Sequence, residues 1–185
     1  SSSRQYDHAI VRLAKSGRNI VRQALHSLGL AHAGSEDKFV PPLYLWNSAK
    51  VRLAVLQGLM DTDGSVGKSG AMEFCSISAR LADDVEFLAR SFGAKVQRSV
   101  RTTHYSHGGE SREGRESHRV RIRLPHVPVF RLKRKPERCF KPTSTSDHHI
   151  LHKIEAAGEA ECVCIAVEHQ SRTYVTRDFI VTHNT

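Results

Sequence analysis

Residues 47–64 read NSAKVRLAVLQGLMDTDG, a helix sequence that ends on two aspartates. Asn47 or Ser48 can supply the side-chain oxygen that caps a helix N-terminus. Val51, Leu53, Ala54, Val55, Leu56, Leu59 and Met60 then make the helix apolar nearly all round, which predicts burial rather than a surface position. It stops at Asp61-Thr62-Asp63-Gly64, so two carboxylates stand at its C-terminal end, where the helix dipole opposes negative charge. A placement that costs stability suggests a compensating cation, and a hard divalent ion suits carboxylate oxygens. An ordinary polar helix stop before Gly64 accounts for the same residues.

Upstream, Ser1 to Gly17 is weakly patterned. Residues 19–28 (NIVRQALHSL) predict a helix with Asn19 as cap, Gly29 as terminator, and Ile20, Leu25 and Leu28 along one side. Pro41-Pro42 is expected to forbid helix there. Downstream the pattern is mixed. Met72 to Ile77 reads as a strand, and residues 79–92 (ARLADDVEFLARSF) as an amphipathic helix ending at Gly93. Lys95 to Thr103 reads as a strand with basic residues recurring along it, followed by a Gly/Ser/Glu-rich loop. Residues 118–124 (HRVRIRL) then alternate, with Val120, Ile122 and Leu124 on one face and Arg119, Arg121 and Arg123 on the other. This order predicts an α+β layer whose sheet has an apolar side toward helices and an Arg-rich open side suited to a phosphate backbone.

Charge sharpens that expectation. Residues 94–141 hold 14 Lys and Arg against 4 Asp and Glu, so nearly all of the formal charge of +9 lies in this one segment. Such localisation favours a polyanionic partner, with nucleic acid the commonest, over a merely solvated surface. The run FRLKRKPERCFK, residues 130–141, extends the basic stretch and offers Lys133, Lys135 and Lys141 as catalytic or phosphate-contacting lysines. Cys75, Cys139, Cys162 and Cys164 lack the spacing of a disulfide framework or a zinc site. Reduced thiols, no membrane-spanning run and a polar first stretch predict a cytoplasmic protein.

Thr143 to His149 reads as a linker. After it come short strand patterns at residues 161–167 (ECVCIAV), 173–176 (TYVT) and 179–182 (FIVT), leading into His183-Asn184-Thr185. This part is close to neutral and predicts a separate all-β unit.

Two resemblances converge on these motifs. Residues 56–64, LQGLMDTDG, resemble the nine-residue signature of LAGLIDADG homing endonucleases. That resemblance implies a helix packed against its twin between two pseudo-symmetric halves, an αββαββα-like order in each half, a sheet in the DNA major groove, and Mg2+ or another divalent cation. It makes Asp63 the metal ligand, because metal-dependent DNA hydrolysis needs carboxylates brought together. Asp61 is instead expected to bond to nearby backbone. Arg98, Arg101, Arg119, Arg121 and Arg123, with Lys133 and Lys135, are the candidate DNA contacts.

Residues 161–185, ECVCIAVEHQSRTYVTRDFIVTHNT, resemble the C-terminal splicing blocks of inteins. The resemblance implies that the Asn184 side-chain amide attacks its own carbonyl carbon, forming a succinimide and releasing Thr185, with His183 assisting proton transfer. Thr185 would be the first residue of the host sequence and an acyl acceptor. Since phosphate-binding loops end in Gly-Lys-Ser/Thr, that residue points to a P-loop ATPase as host. Cys164 stands where most inteins carry an Asp, which resembles class 3 inteins with an internal Cys nucleophile. The other reading of Cys164 is a small apolar residue buried in a strand. Trp46 does not stand where the class places its partner Trp.

The expected organisation is therefore a partial connecting segment at 1–46, a second endonuclease half at 47–142, a linker at 143–160, a splicing segment at 161–184 and a host residue at 185. No first LAGLIDADG helix and no N-terminal splicing block is visible, so the chain reads as the C-terminal part of an intein with a missing N-terminal portion, split or truncated. A free-standing homing endonuclease pairing through its single motif helix, and a DNA-binding remnant with a dead nuclease, are the alternatives.

Overall fold

The computed structural model describes residues 19–67, 70–139 and 152–183. The expectations placed on Ser1 to Gly17, Lys141, Thr143 to His149, Asn184 and Thr185 lie outside the described residues. Helix α1 spans Ile20–Ser27, where the Asn19 side chain accepts from Val21 N at 3.0 Å and Arg22 N at 3.2 Å. Gly29 follows at φ 72, the left-handed conformation that ends a helix cheaply only at glycine. None of its residues is buried, and Ile20 is 77% exposed. A one-turn helix α2, Pro42–Leu45, corrects the expectation that Pro41-Pro42 excludes helix. Proline at the first helical position has no N–H to lose there, and its fixed φ suits a helix start.

Helix α3 runs Ala49–Thr62, with Ser48 Oγ accepting from Val51 N at 3.4 Å. Its burial differs from the expectation. Only Leu56 and Met60 are fully buried, Val55 and Leu59 pack on the core edge, and Ala54 and Gly58 are exposed. Among the described residues, one side of the helix is covered and the other is open. Asp63 caps the helix and Gly64 begins strand β1 (Gly64–Val66) at once. A Cβ at Gly64 would lie 2.8 Å from Met60 Cα and closer still to its carbonyl oxygen, so only glycine lets the strand turn back this tightly.

Strand β2 (Met72–Ser76), helix α4 (Ala79–Arg90), β3 (Lys95–His107) and β4 (Glu110–Arg123) complete an antiparallel sheet in the order β1-β2-β4-β3. Phe74, Val120 and Ile122 lie on one face and are buried with Leu56, Met60, Leu81, Val85 and Leu88. Ser78 caps α4 by accepting from Leu81 N at 3.1 Å, and its hydroxyl donates to Lys38 O at 2.7 Å. Asp84 Oδ2 accepts from Val40 N at 2.7 Å. Together these bonds strap residues 38–40 across α4, which buries Val40.

The β3–β4 connection also corrects the sequence expectation. No long loop follows Thr103: the strands continue to Gly108-Gly109, both at positive φ (64 and 85). Two consecutive glycines supply the tight hairpin turn whose twist matches the strands, so the ladder runs to the tip, with one irregularity between Thr102 and His104. The order α-β-β-α-β-β gives the expected α+β layer and the first six elements of the αββαββα-like order. A single 3-10 turn, Pro136–Arg138, follows it among the described residues.

Residues 152–172 contain no strand, contrary to the pattern at 161–167. Strand structure needs a ladder partner, and none lies beside this segment among the described residues; Val163 is 85% exposed. Strands β5 (Thr173–Val175) and β6 (Val181–His183) do form an antiparallel hairpin. Its tip rests on α4: the Phe87 and Phe179 rings are 4.9 Å apart, with Trp46 on the other side of Phe87 at 4.9 Å. Asp178 pairs with Arg90 at 3.2 Å.

Candidate active site and nucleic-acid face

The C-terminal end of α3 gathers Asp61, Asp63 and Lys135. Asp61 accepts from the backbone N–H of Arg131 at 3.1 Å and of Leu132 at 3.2 Å. Lys135 returns the contact: its Nζ donates to Met60 O at 2.8 Å and to the carbonyls of Asp61 and Gly64, each at 2.7 Å. Those carbonyls belong to the last helical turn and to the residue just beyond it, where unpaired acceptors and the negative end of the dipole collect. A cation is therefore built in, and it relieves the unfavourable placement of the two aspartates. Burial lowers the Lys135 pKa from the usual lysine value, while the Asp61 carboxylate pulls it back up.

Asp63 is exposed, and no hydrogen bond or ion pair engages its carboxylate among the described residues. As a hard oxygen donor it fits a divalent cation. No group of three or more His, Cys, Asp and Glu that could hold a metal occurs among the described residues.

The sheet face opposite α4 carries the charge. Register places Lys95 beside Arg123, Gln97 beside Arg121, Ser99 beside Arg119 and Arg101 beside Ser117, with Glu73 next to Arg121 and Cys75 next to Arg119. Arg101, Arg121 and Arg123 are exposed, as is Lys133 in the segment after β4. Arg119 Nη1 donates to Glu73 Oε1 at 3.3 Å, and its buried Nε has no partner among the described residues.

Arg98 does not belong to this face. It pairs in register with buried Val120, on the α4 side, where its guanidinium bonds to Asp83, to Ala79 O at 3.1 Å and to His118 Nδ1 at 3.2 Å. The parity of the strand already separates Arg98 from Lys95 and Arg101. Glu73 was missed altogether, because β2 shows no charge pattern until β4 is placed beside it. His183 ends β6 and is exposed, whereas Cys164 is exposed in the irregular segment before the hairpin. No helix among the described residues is long and apolar enough to cross a membrane.

Residues 50–124 match the family model described as a LAGLIDADG-like domain. The matched segment is similar to that family over 75 of the chain's 185 residues. It begins at the second residue of α3 and ends one residue past β4, so the match covers the helix with Asp63 and the whole basic face. Over 156 residues, 80% of this chain, the sequence is 30% identical to the replicative DNA helicase DnaB of Mycobacterium intracellulare and covers 26% of that protein. Over 140 residues, 69% of this chain, it is 26% identical to the ATP-dependent DNA helicase Hel308 of Thermococcus kodakarensis and covers 12% of it. The chain thus spans 26% and 12% of the lengths of these relatives.

Proposed function

We propose that residues 47–142 are one half of a homing endonuclease that cuts double-stranded DNA, and that residues 161–184 are the C-terminal splicing segment of an intein. The observation that carries the nuclease reading is the end of α3, where Lys135 anchors the helix carbonyls and leaves the Asp63 carboxylate unengaged and exposed. Beside it, the uncovered Ala54 and Gly58 face of α3 offers small residues to a second helix. Pairing of two such helices would bring a second carboxylate to Asp63. A bound Mg2+ would supply charge stabilisation and an activated water for phosphodiester hydrolysis. Asp63 would hold it, Arg101, Arg121, Arg123 and Lys133 would hold the duplex, and Lys135 would keep the helix end in place.

The splicing reading rests on the residue order that ends in His183-Asn184-Thr185. Its support is that this chain, over 80% and 69% of its length, is similar to parts of two much longer DNA helicases, as an element inserted into larger hosts would be. One of them is ATP-dependent by name, in keeping with a P-loop ATPase as host. In the reaction, the Asn184 amide nitrogen bonds to its own carbonyl carbon, the bond to Thr185 breaks, and the departing amine gains a proton with the help of His183. Cys164 would serve as an internal nucleophile: its thiolate attacks the carbonyl of the upstream junction, the C–N bond there breaks and the amine leaves with a proton. The thioester then passes its acyl group to the Thr185 hydroxyl, freeing the thiol again.

Asp63→Asn tests the nuclease half: Mg2+-dependent cutting of the uninterrupted host gene should vanish with DNA binding retained, and retained cutting rejects the role. For splicing, the chain extended beyond Thr185 is mixed with an N-terminal intein fragment, and ligated host sequence is sought by mass spectrometry. Absence of both ligation and Asn184-dependent cleavage refutes the reading. Unimpaired splicing by Cys164→Ala removes the internal nucleophile alone.

A further inference from the structure

The basic sheet face contains one misfit. Among Lys95, Arg101, Arg119, Arg121 and Arg123 sits a carboxylate, Glu73, on the inner strand β2. Its neighbours across the ladders are Ser65 on β1 and Arg121 on β4, and Arg119 reaches it diagonally at 3.3 Å. The side chains of Glu73 and Arg119 are 24% and 35% exposed, so the pair is set into the face and not splayed from its rim.

Charge sign and spacing locate the pair relative to a bound duplex. Lys95 and Arg123 share one row of the face, Arg101 lies three rows further along β3, and the ladder continues past it toward the hairpin tip. From residue 95 to residue 101 along β3 is about 20 Å at the rise of an extended strand. The rows that contain Gln97, Arg121, Glu73, Ser99 and Arg119 lie between. A carboxylate is repelled by phosphate and cannot lie over the backbone. Glu73 therefore belongs over base edges, while the cations around it can reach the phosphate chains that flank a groove. The major groove, about 12 Å wide, admits a two-stranded β-ribbon and exposes the cytosine amino group, whereas the minor groove, about 6 Å wide, shows neither that donor nor guanine O6 and N7. On the major-groove floor a carboxylate can accept from the exocyclic amino group of cytosine, and an aligned guanidinium is the natural donor pair for guanine O6 and N7.

We propose that Glu73 is a specificity-determining residue, which aligns Arg119 and with it reads a G·C base pair on the floor of the major groove while the surrounding cations hold the phosphate chains. This rests on the DNA-binding reading above. Glu73 has two tasks there. It fixes the Arg119 guanidinium before DNA arrives, and it penalises any base edge that offers only acceptors, because the carboxylate would then be left against them unpaired.

The test is selection of bound duplexes from a randomised DNA library at fixed salt, using the full chain and its Glu73→Gln, Arg119→Ala and Arg101→Ala variants, with thermal unfolding to confirm that each is folded. Glu73→Gln nearly preserves shape. It should reduce the preference for G·C at one position by about five- to a hundred-fold, while affinity for the unselected library holds or rises as a negative charge leaves the face. Arg119→Ala should relax the same position. Arg101→Ala should weaken binding to all sequences alike and lower the salt dependence without changing base preference. Unchanged base preference in folded Glu73→Gln, or a uniform loss of affinity instead, overturns the proposal while leaving DNA binding intact. Failure of the unmodified chain to bind any duplex overturns the DNA-binding reading and this inference with it.

Discussion

Lys135 shows how a single side chain can reverse the electrostatics of a helix end. Without it, the last carbonyls of α3 and the adjacent Asp61 and Asp63 would stack like charges and dipoles at one point. Its ammonium instead satisfies three carbonyl oxygens, while Asp61 is held by two backbone N–H groups of the segment that delivers the lysine. Lys135→Met should therefore expose unpaired acceptors and loosen this clasp, at a cost of about 1–3 kcal/mol. A urea unfolding midpoint lowered at unchanged slope is the expected result; an unchanged midpoint would mean that water replaces the ammonium without loss. Gly64 has a comparable role in sterics, since any side chain there collides with the Met60 backbone.

At the scale of elements, α3 carries a glycine for which the described fold has no use. Gly58 is exposed, and a Cβ there would meet nothing within 4 Å. Glycine inside a helix costs about 1 kcal/mol relative to alanine. Gly58→Ala should thus raise the thermal midpoint of this chain by itself, and it should weaken pairing with a second endonuclease half if that face is an interface. Equal pairing by sedimentation would remove the interface role. Helix α4 offers a pH-dependent test. Burial raises the Asp84 pKa above the ordinary aspartate value, opposed by the Val40 N–H bond and the Arg80 charge. Between the ordinary value, about 3.9, and the raised one, the folded protein binds more protons than the unfolded chain, so this group's contribution to stability falls as pH rises through that window. Asp84→Asn keeps an oxygen for Val40 N–H and removes the buried charge. Its stability relative to the parent should improve from pH 4 to pH 7, and a flat difference would assign the carboxylate no net cost.

At the scale of the whole molecule, the C-terminal hairpin meets the four-stranded α/β domain at a small contact among the described residues. Two three-residue strands make a hairpin that is marginal alone. Its support is the Phe87, Phe179 and Trp46 contact with the Arg90–Asp178 ion pair, and Phe179 adopts a left-handed φ of 59 to reach it. Phe179→Ala should speed amide exchange at Tyr174 and Thr182 while leaving the exchange of Val120 and Ile122 unchanged. Equal protection in both regions would show that the hairpin stands without its tip.

The sequence by itself determined whatever depends on neighbours within one turn or one strand repeat. Asn19 and Ser48 as helix caps, the stop at Asp63-Gly64, and Arg119, Arg121 and Arg123 opposite Val120 and Ile122 all follow from local hydrogen bonding and side-chain periodicity. The tertiary structure decided what depends on partners far apart in the chain. Lys135 and Met60 are separated by 75 residues, Arg119 and Glu73 by 46. Whether a basic residue faces solvent or, like Arg98, is engaged by a helix depends on which element covers its side of the sheet. So does the open flank of α3, because an apolar sequence states the capacity for burial and only packing supplies the covering surface.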